Sequence, residues 1–182
     1  MKNYKKNFEI LKKNHVYSEE MEHDACGVGL IASTEGKKSR KIVEYGIEAL
    51  KAVWHRGAVD ADGKTGDGAG IHVEIPKDFF IEKIEVTGHT HDNSEICVGM
   101  IFLPRNDYAA QESCKTIVES ELTKNDFSIY GWRQVPVNPK VLGEKAFQTM
   151  PEIIQVLFKS NNSELLNKDL ERKIYETRRI IE

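Results

Sequence analysis

Asp24-Ala25-Cys26-Gly27-Val28-Gly29-Leu30-Ile31 sets a small residue and a cysteine at the head of an apolar run. Ahead of it lies a polar leader, Met1–Ala25. Cleavage between Ala25 and Cys26 would make Cys26 a new N-terminus, with thiol and α-amine on one residue. A free α-amine titrates at about 7.7–8.0, so near neutrality part of it is a neutral base beside a nucleophile. An internal Cys26 has no such base. The plainer reading of a Cys-Gly pair at a strand start is a small buried residue, and the rest of the chain has to choose between the two.

The bulk numbers narrow the classes. The chain has 182 residues, 40% hydrophobic and 30% charged, enough for one domain with a core and an ordinary globular composition. Net charge is −3, which gives no electrostatic reason to expect nucleic acid or an anionic membrane as partner. The lysines at 2, 5, 6, 12 and 13 are offset by Glu9, Glu19, Glu20, Glu22 and Asp24, the pattern of a solvated leader. No apolar run approaches a membrane span, and the N-terminus has no apolar signal core. The three cysteines, Cys26, Cys97 and Cys114, show no C-x-x-C pairing. An odd, unpaired set points to a reducing compartment, and cytoplasm is the expectation.

Residues 1–14 predict a short amphipathic helix through Phe8, Ile10 and Leu11. Cys26–Ser33 predicts a buried strand, closed by the turn at Thr34-Glu35-Gly36. Ser39 is an N-cap for a helix to about His55, with Ile42, Val43, Gly46, Ile47, Leu50, Val53 and Trp54 on one face. Ala58–Gly70 is a Gly/Asp-rich loop. Ile71–Ile75 predicts a strand ended by Pro76, and Asp78–Ile84 a short helix. Thr87–Ser94 is a surface loop. Ile96–Leu103 is a second buried strand, Ala109–Leu122 an amphipathic helix, and Phe127–Val137 a strand that is broken by Pro136 or continues past it as an edge. Val141–Ala146 is helical, Glu152–Phe158 a further strand, and Ser163 caps a last helix through Leu165, Leu166, Leu170 and Ile174. Sheet and helix stack in layers; the pattern leaves strand direction open.

Several elements have more than one chemistry. Gly63-Lys64-Thr65 invites a phosphate-binding reading, but a P-loop needs Gly at position 58, where Ala58 stands. It also needs a helix start after Lys-Thr, where this chain has more glycine and a strand. The loop is better read as a backbone wall through Gly66, Asp67 and Gly68. His89-Thr90-His91-Asp92 lacks the four ligands of a structural zinc site, and no metal is expected. Arg56 has two readings. It is a cation at a helix C-terminus, or it stands beside Cys26 to hold a thiolate or orient substrate. Tyr130-Gly131-Trp132-Arg133 reads as a strand that packs an aromatic ring and projects a charge.

Taken in order, Cys26-Gly-Val-Gly-Leu-Ile31 and His55-Arg56-Gly57-Ala58-Val59-Asp60-Ala61-Asp62 resemble class II glutamine amidotransferases of the N-terminal nucleophile (Ntn) type, and Lys64-Thr65-Gly66-Asp67-Gly68-Ala69-Gly70 resembles the glutamate synthase family within them. Tyr130-Gly-Trp-Arg-Gln-Val-Pro-Val137 and Arg178-Arg179-Ile-Ile-Glu182 resemble that same family. The resemblance implies an α+β fold, the four-layer αββα Ntn sandwich with largely antiparallel sheets, of which this chain would hold the N-terminal half. It implies a leader, residues 1–25, removed to expose Cys26, and residues 26–182 as the N-terminal part of the amidotransferase domain. Cys26 would be the catalytic nucleophile, working through a γ-glutamyl thioester, and Arg56 a substrate-binding residue. The substrate would be L-glutamine, its ammonia passing to 2-oxoglutarate in a downstream synthase domain with FMN and an iron–sulfur cluster, partnered by a small subunit. This chain itself would carry no cofactor. The family's oxyanion donors are an Asn-Gly pair, and no Asn-Gly occurs here. On that ground the isolated chain is expected to be incomplete and inactive. Another Ntn amidohydrolase, or a catalytically silent interaction module, are the competing readings.

Overall fold

The computed structural model describes residues 2–14, 27–54, 57–165 and 168–182. The chain divides into two compact units, one of residues 1–58 with 68–71 and one of residues 59–67 with 72–182.

The first unit holds two helices, α1 (Lys2–Asn14) and α2 (Arg40–Ala52). Ser39 caps α2 as expected, its hydroxyl accepting from the Lys41 amide at 3.2 Å. Ile42, Val43, Gly46, Ile47 and Leu50 form the half-buried side of α2, the stripe that its 3.6-residue period predicts. Val53 and Trp54 do not belong to it. The helix ends at Ala52, and Trp54 is 74% exposed.

Gly27–Ser33 corrects the sequence expectation. No strand forms there, and Val28 and Leu30 are 94% and 89% exposed. Ile71–Ile75 likewise forms no strand. An apolar period of two sets an extended backbone, but a strand also needs a neighbour to accept its ladder hydrogen bonds. Neither segment has one among the described residues.

In the second unit, strands β1 (Cys97–Leu103), β2 (Phe127–Gln134) and β3 (Glu152–Ser160) form an antiparallel sheet in the order β1-β3-β2. Helices α3 (Lys77–Val86), α4 (Tyr108–Lys124), α5 (Glu144–Thr149) and α6 (Lys168–Ile181) complete it. The α+β class and the antiparallel strands agree with the expectation. The helix at 77–86 is longer than the expected short one. The last helix starts at Lys168, so Ser163 does not cap it. Ser163 lies in a separate turn, where the Asn162 side chain accepts from the Glu164 amide at 2.9 Å.

Two cores flank the sheet. On one face Cys97, Phe127, Val156 and Phe158 pack with Val118 and Leu122 of α4 and Leu170 of α6. On the other, Leu157, Tyr130 and Ile96 pack with Phe80 and Ile84 of α3. β3 is central and therefore buried on both faces, with Ile154 through Phe158 all buried. A bulge in β2 lets both faces be served. Ile129 pairs with Phe158 and Gly131 with Leu157, leaving Tyr130 as the extra residue. The slip returns Trp132 to the α4 face, where its indole donates to Glu119 at 2.6 Å.

Candidate functional site

Cys26 and Arg56, the residues expected from the sequence to carry the chemistry, lie outside the described residues. What the structure details is the loop that follows them and the surroundings of the other motifs.

The loop at 59–67 is a closed hydrogen-bonded turn. Val59 and Gly66 form an isolated antiparallel bridge. The Asp60 amide donates to Thr65 O at 2.7 Å, and the Gly63 amide to Asp60 O at 2.9 Å. Gly63 takes φ +67°, a region glycine enters without strain. At the centre sits the Asp62 carboxylate. It accepts the Lys64 amide at 2.9 Å, the Thr65 amide at 2.7 Å and the Thr65 hydroxyl at 2.5 Å. These donors, the Thr65 hydroxyl foremost, lower its pKa to about 2.

This geometry gives the Lys-Thr pair a role other than phosphate binding. The amides that an incoming phosphate would need are spent on a carboxylate supplied by the loop itself, and that carboxylate is anionic at neutral pH. The P-loop reading, already at odds with Ala58, is incompatible with it on charge as well.

The loop is also fastened to a distant part of the sequence. Lys145 pairs with Asp60 at 2.6 Å, and the Glu144 amide adds a hydrogen bond to Asp62. Gly143, at the start of α5, touches the loop so closely that a Cβ there would overlap Thr65 Oγ1 and Asp62 Oδ2 and stand 2.5 Å from the Thr65 amide nitrogen. Asp62, Thr65 and Gly143 were not picked out from the sequence. The Asp-x-x-Thr spacing is a legible signal for the local part, since Asp side chains close turns of this size. The link to Gly143 has no sequence signal.

The Tyr130-Gly-Trp-Arg element is a strand, as expected, and its glycine has a specific cause. Gly131 has φ +146°, and a Cβ on it would lie 2.8 Å from Thr87 Cγ2. Thr87 closes α3, with its hydroxyl 2.6 Å from Ile84 O and 2.8 Å from Tyr130 O. The Arg133 guanidinium donates to Gln155 at 2.6 Å and lies over the Phe79 ring at 5.1 Å. The charge that the sequence projects is thus held on the sheet.

Asp92, in the histidine-containing loop, accepts from Ser94 at 2.5 Å and from Tyr130 Oη at 3.2 Å, and is ion-paired to Lys159. Lys159 first, and then Ser94, hold its carboxyl well below the usual range. His91 Nε2 lies 3.0 Å from Ser94 O. The loop is therefore engaged with the sheet, and among the described residues no group of three or more His, Cys, Asp or Glu is placed to hold a metal. Cys97 is buried, and burial, aided by the charges of Glu95 and Glu171, pushes its thiol up to about 12. No helix among the described residues is long and apolar enough to cross a membrane.

Comparison with known proteins bears on the same residues. The family profile described as class-II glutamine amidotransferases matches residues 26–182. The large chain of NADPH glutamate synthase from Azospirillum brasilense is 52% identical over 179 residues, covering 98% of this chain. The chloroplastic ferredoxin-dependent glutamate synthase 2 of Arabidopsis thaliana is 39% identical over 178 residues, and the ferredoxin-dependent enzyme of Pyropia yezoensis 39% over 175. They cover 96% and 95% of this chain. The chain spans 12% of the length of the first relative and 11% of the other two.

Proposed function

Since the chain belongs to the class-II glutamine amidotransferase family, we propose that it is the glutaminase part of a glutamate synthase, freeing ammonia from L-glutamine for glutamate synthesis. The observation that carries this is that the family match begins at Cys26. That is the residue whose thiol and α-amine become one working unit once residues 1–25 are removed.

The chemistry follows from that unit. The α-amine of Cys26, directly or through a water, takes the thiol proton. The thiolate attacks the side-chain amide carbon of glutamine, and the ammonium form of the amine then protonates the departing ammonia. A γ-glutamyl thioester remains, and water, deprotonated by the same amine, releases glutamate. Arg56 carries a charge suited to the substrate's α-carboxylate. Ammonia then adds to 2-oxoglutarate in a synthase region elsewhere in the enzyme, a cytoplasmic protein of large and small subunits. FMN and an iron–sulfur cluster belong to that region. The described residues offer no ligand set for the cluster, and no step above runs through either group.

The test is made in the full-length polypeptide. The mature protein should begin at Cys26 by N-terminal sequencing. Cys26→Ala should abolish glutamine-dependent synthesis and leave ammonia-dependent synthesis measurable. Full activity with Met1 retained, or glutamine use by Cys26→Ala, would refute the proposal.

A further inference from the structure

The two faces of the sheet are not equally covered. The antiparallel register sets side chains on the α3 face in rows across the strands: Val98 with Leu157, Met100 with Gln155 and Arg133, and Phe102 with Ile153. α3 covers the first row, where Phe80 and Ile84 pack with Leu157 and Val98. Beyond that row the cover thins among the described residues, and Met100 is 49% and Phe102 63% exposed.

Two cations stand at the margin of this open area. The Arg133 guanidinium donates to the buried Gln155 at 2.6 Å and lies 5.1 Å from the centre of the Phe79 ring. The Lys83 ammonium lies 5.1 Å from the centre of the same ring. Both residues are half-buried. Among the described residues neither forms an ion pair, whereas Arg40, Arg172, Arg178 and Arg179 all do. No sheet residue in the three rows carries a carboxylate. Holding two like charges against one ring, each stripped of part of its water, is unfavourable until an anion joins them. The negative face of the ring offsets part of that cost. A carboxylate would offset more, and the guanidinium fork still has donors to give after its bond to Gln155.

We propose that this open part of the sheet is a docking surface for an acidic segment of the same polypeptide following residue 182, whose carboxylate pairs with Arg133 and Lys83 while its apolar side chains cover Met100 and Phe102. The proposal rests on the reading of the chain as part of a full-length glutamate synthase. Charge selects the occupant. A second copy presenting the same face would set these cations against themselves, and a wholly apolar segment would bury them unpaired. Polypeptide to supply the segment exists in the relatives, since the chain spans 12% of the length of the Azospirillum brasilense enzyme. A tethered segment also meets its site at high effective concentration.

The test uses the full-length enzyme with no glutamine present. A water-soluble carbodiimide joins an amine to an adjacent carboxylate as an amide, the reagent taking up the water, and peptide mass spectrometry identifies the pair. Lys83 should be joined to an Asp or Glu beyond residue 182. Met100 should be oxidised by dilute hydrogen peroxide at least about tenfold more slowly in the native enzyme than after unfolding in urea. Arg133→Gln and Lys83→Gln should each move that rate severalfold toward the unfolded value. If Arg133→Gln fails to fold, Lys83→Gln and the link in the unaltered enzyme decide alone. A link between copies, detected in a mixture of unlabelled and heavy-nitrogen enzyme, overturns the proposal. So does a Lys83 linked only within residues 1–182, or left unlinked, and so does a native Met100 oxidised as fast as the unfolded one. Cys26→Ala run alongside separates the two ideas. Glutamine use by that variant sinks the proposed nucleophile, while the docking surface still stands or falls on Lys83 and Met100.

Discussion

At the scale of single residues, a thiol serves as a nucleophile only if it can ionise near working pH. Cys97 cannot. It is 5% exposed in the core between β1, β3, α4 and α6, and its thiol is pushed up to about 12. Burial removes water from the thiolate, and Glu95 and Glu171 add repulsion. It follows that alkylation of the folded protein near pH 8, read by peptide mass spectrometry, should leave Cys97 unmodified until the protein is denatured. Cys97→Ser should retain glutamine-dependent activity while losing about 1–3 kcal/mol of stability, because a buried hydroxyl replaces an apolar contact. Labelling of native Cys97 as fast as an exposed thiol would contradict its placement in the core.

Among the elements, the bulge at Tyr130-Gly131 has the most local consequence. It gives β2 its extra residue and brings Thr87 of the α3 terminus onto the strand. Gly131→Ala meets two obstacles, φ +146° and a Cβ 2.8 Å from Thr87 Cγ2. Backbone strain of this kind costs on the order of 1–3 kcal/mol. Thermal unfolding should show that loss, and Gly131→Ala with Thr87→Ser should recover part of it, since serine removes the methyl group and keeps the hydroxyl on Tyr130 O. Full additivity of the two changes would mean the pair does not touch. The same strand shows what a sequence discloses. Its start at Phe127 was readable, as were the cap at Ser39, the stripe on α2 and the strand at 97–103, because each depends on residues near one another in the chain; the strand itself ends at Gln134, short of the expected Val137. The bulge was not readable, since it depends on where α3 delivers Thr87. Gly27–Ser33 and Ile71–Ile75 were misjudged for the converse reason: their pattern was local, but a ladder needs a second chain segment. For the candidate site, Cys26 and Arg56 are expectations from the sequence, and both lie outside the described residues. The Asp62–Gly143 contact joins residues far apart in sequence, and no local pattern encodes it.

For the whole molecule, the question is what the sheet leaves open. Among the described residues β3 is paired on both sides, while β1 and β2 are each paired on one, so both outer strands leave one edge without a ladder partner there. Along β1, Val98, Met100 and Phe102 share the face packed by α3. Only Val98 joins that core, and Phe102 is 63% exposed. The exposed apolar side chains of Val28 and Leu30 in the first unit add to the surface in water. Open edges together with exposed apolar side chains are the physical recipe for self-association. The family resemblance implies a separate catalytic deficit, since it expects an Asn-Gly pair to receive the charge of a tetrahedral intermediate and no Asn-Gly occurs in these 182 residues. The loss of one such donor typically lowers rate by about 10²–10³. Residues 1–182 expressed alone should therefore elute as oligomers or aggregates in size-exclusion chromatography and release no measurable ammonia from glutamine. The full-length polypeptide should do the reverse on both counts. A monomeric 182-residue protein that melts cooperatively and hydrolyses glutamine would show that the open edges of β1 and β2 are tolerated and that oxyanion donors exist within this chain.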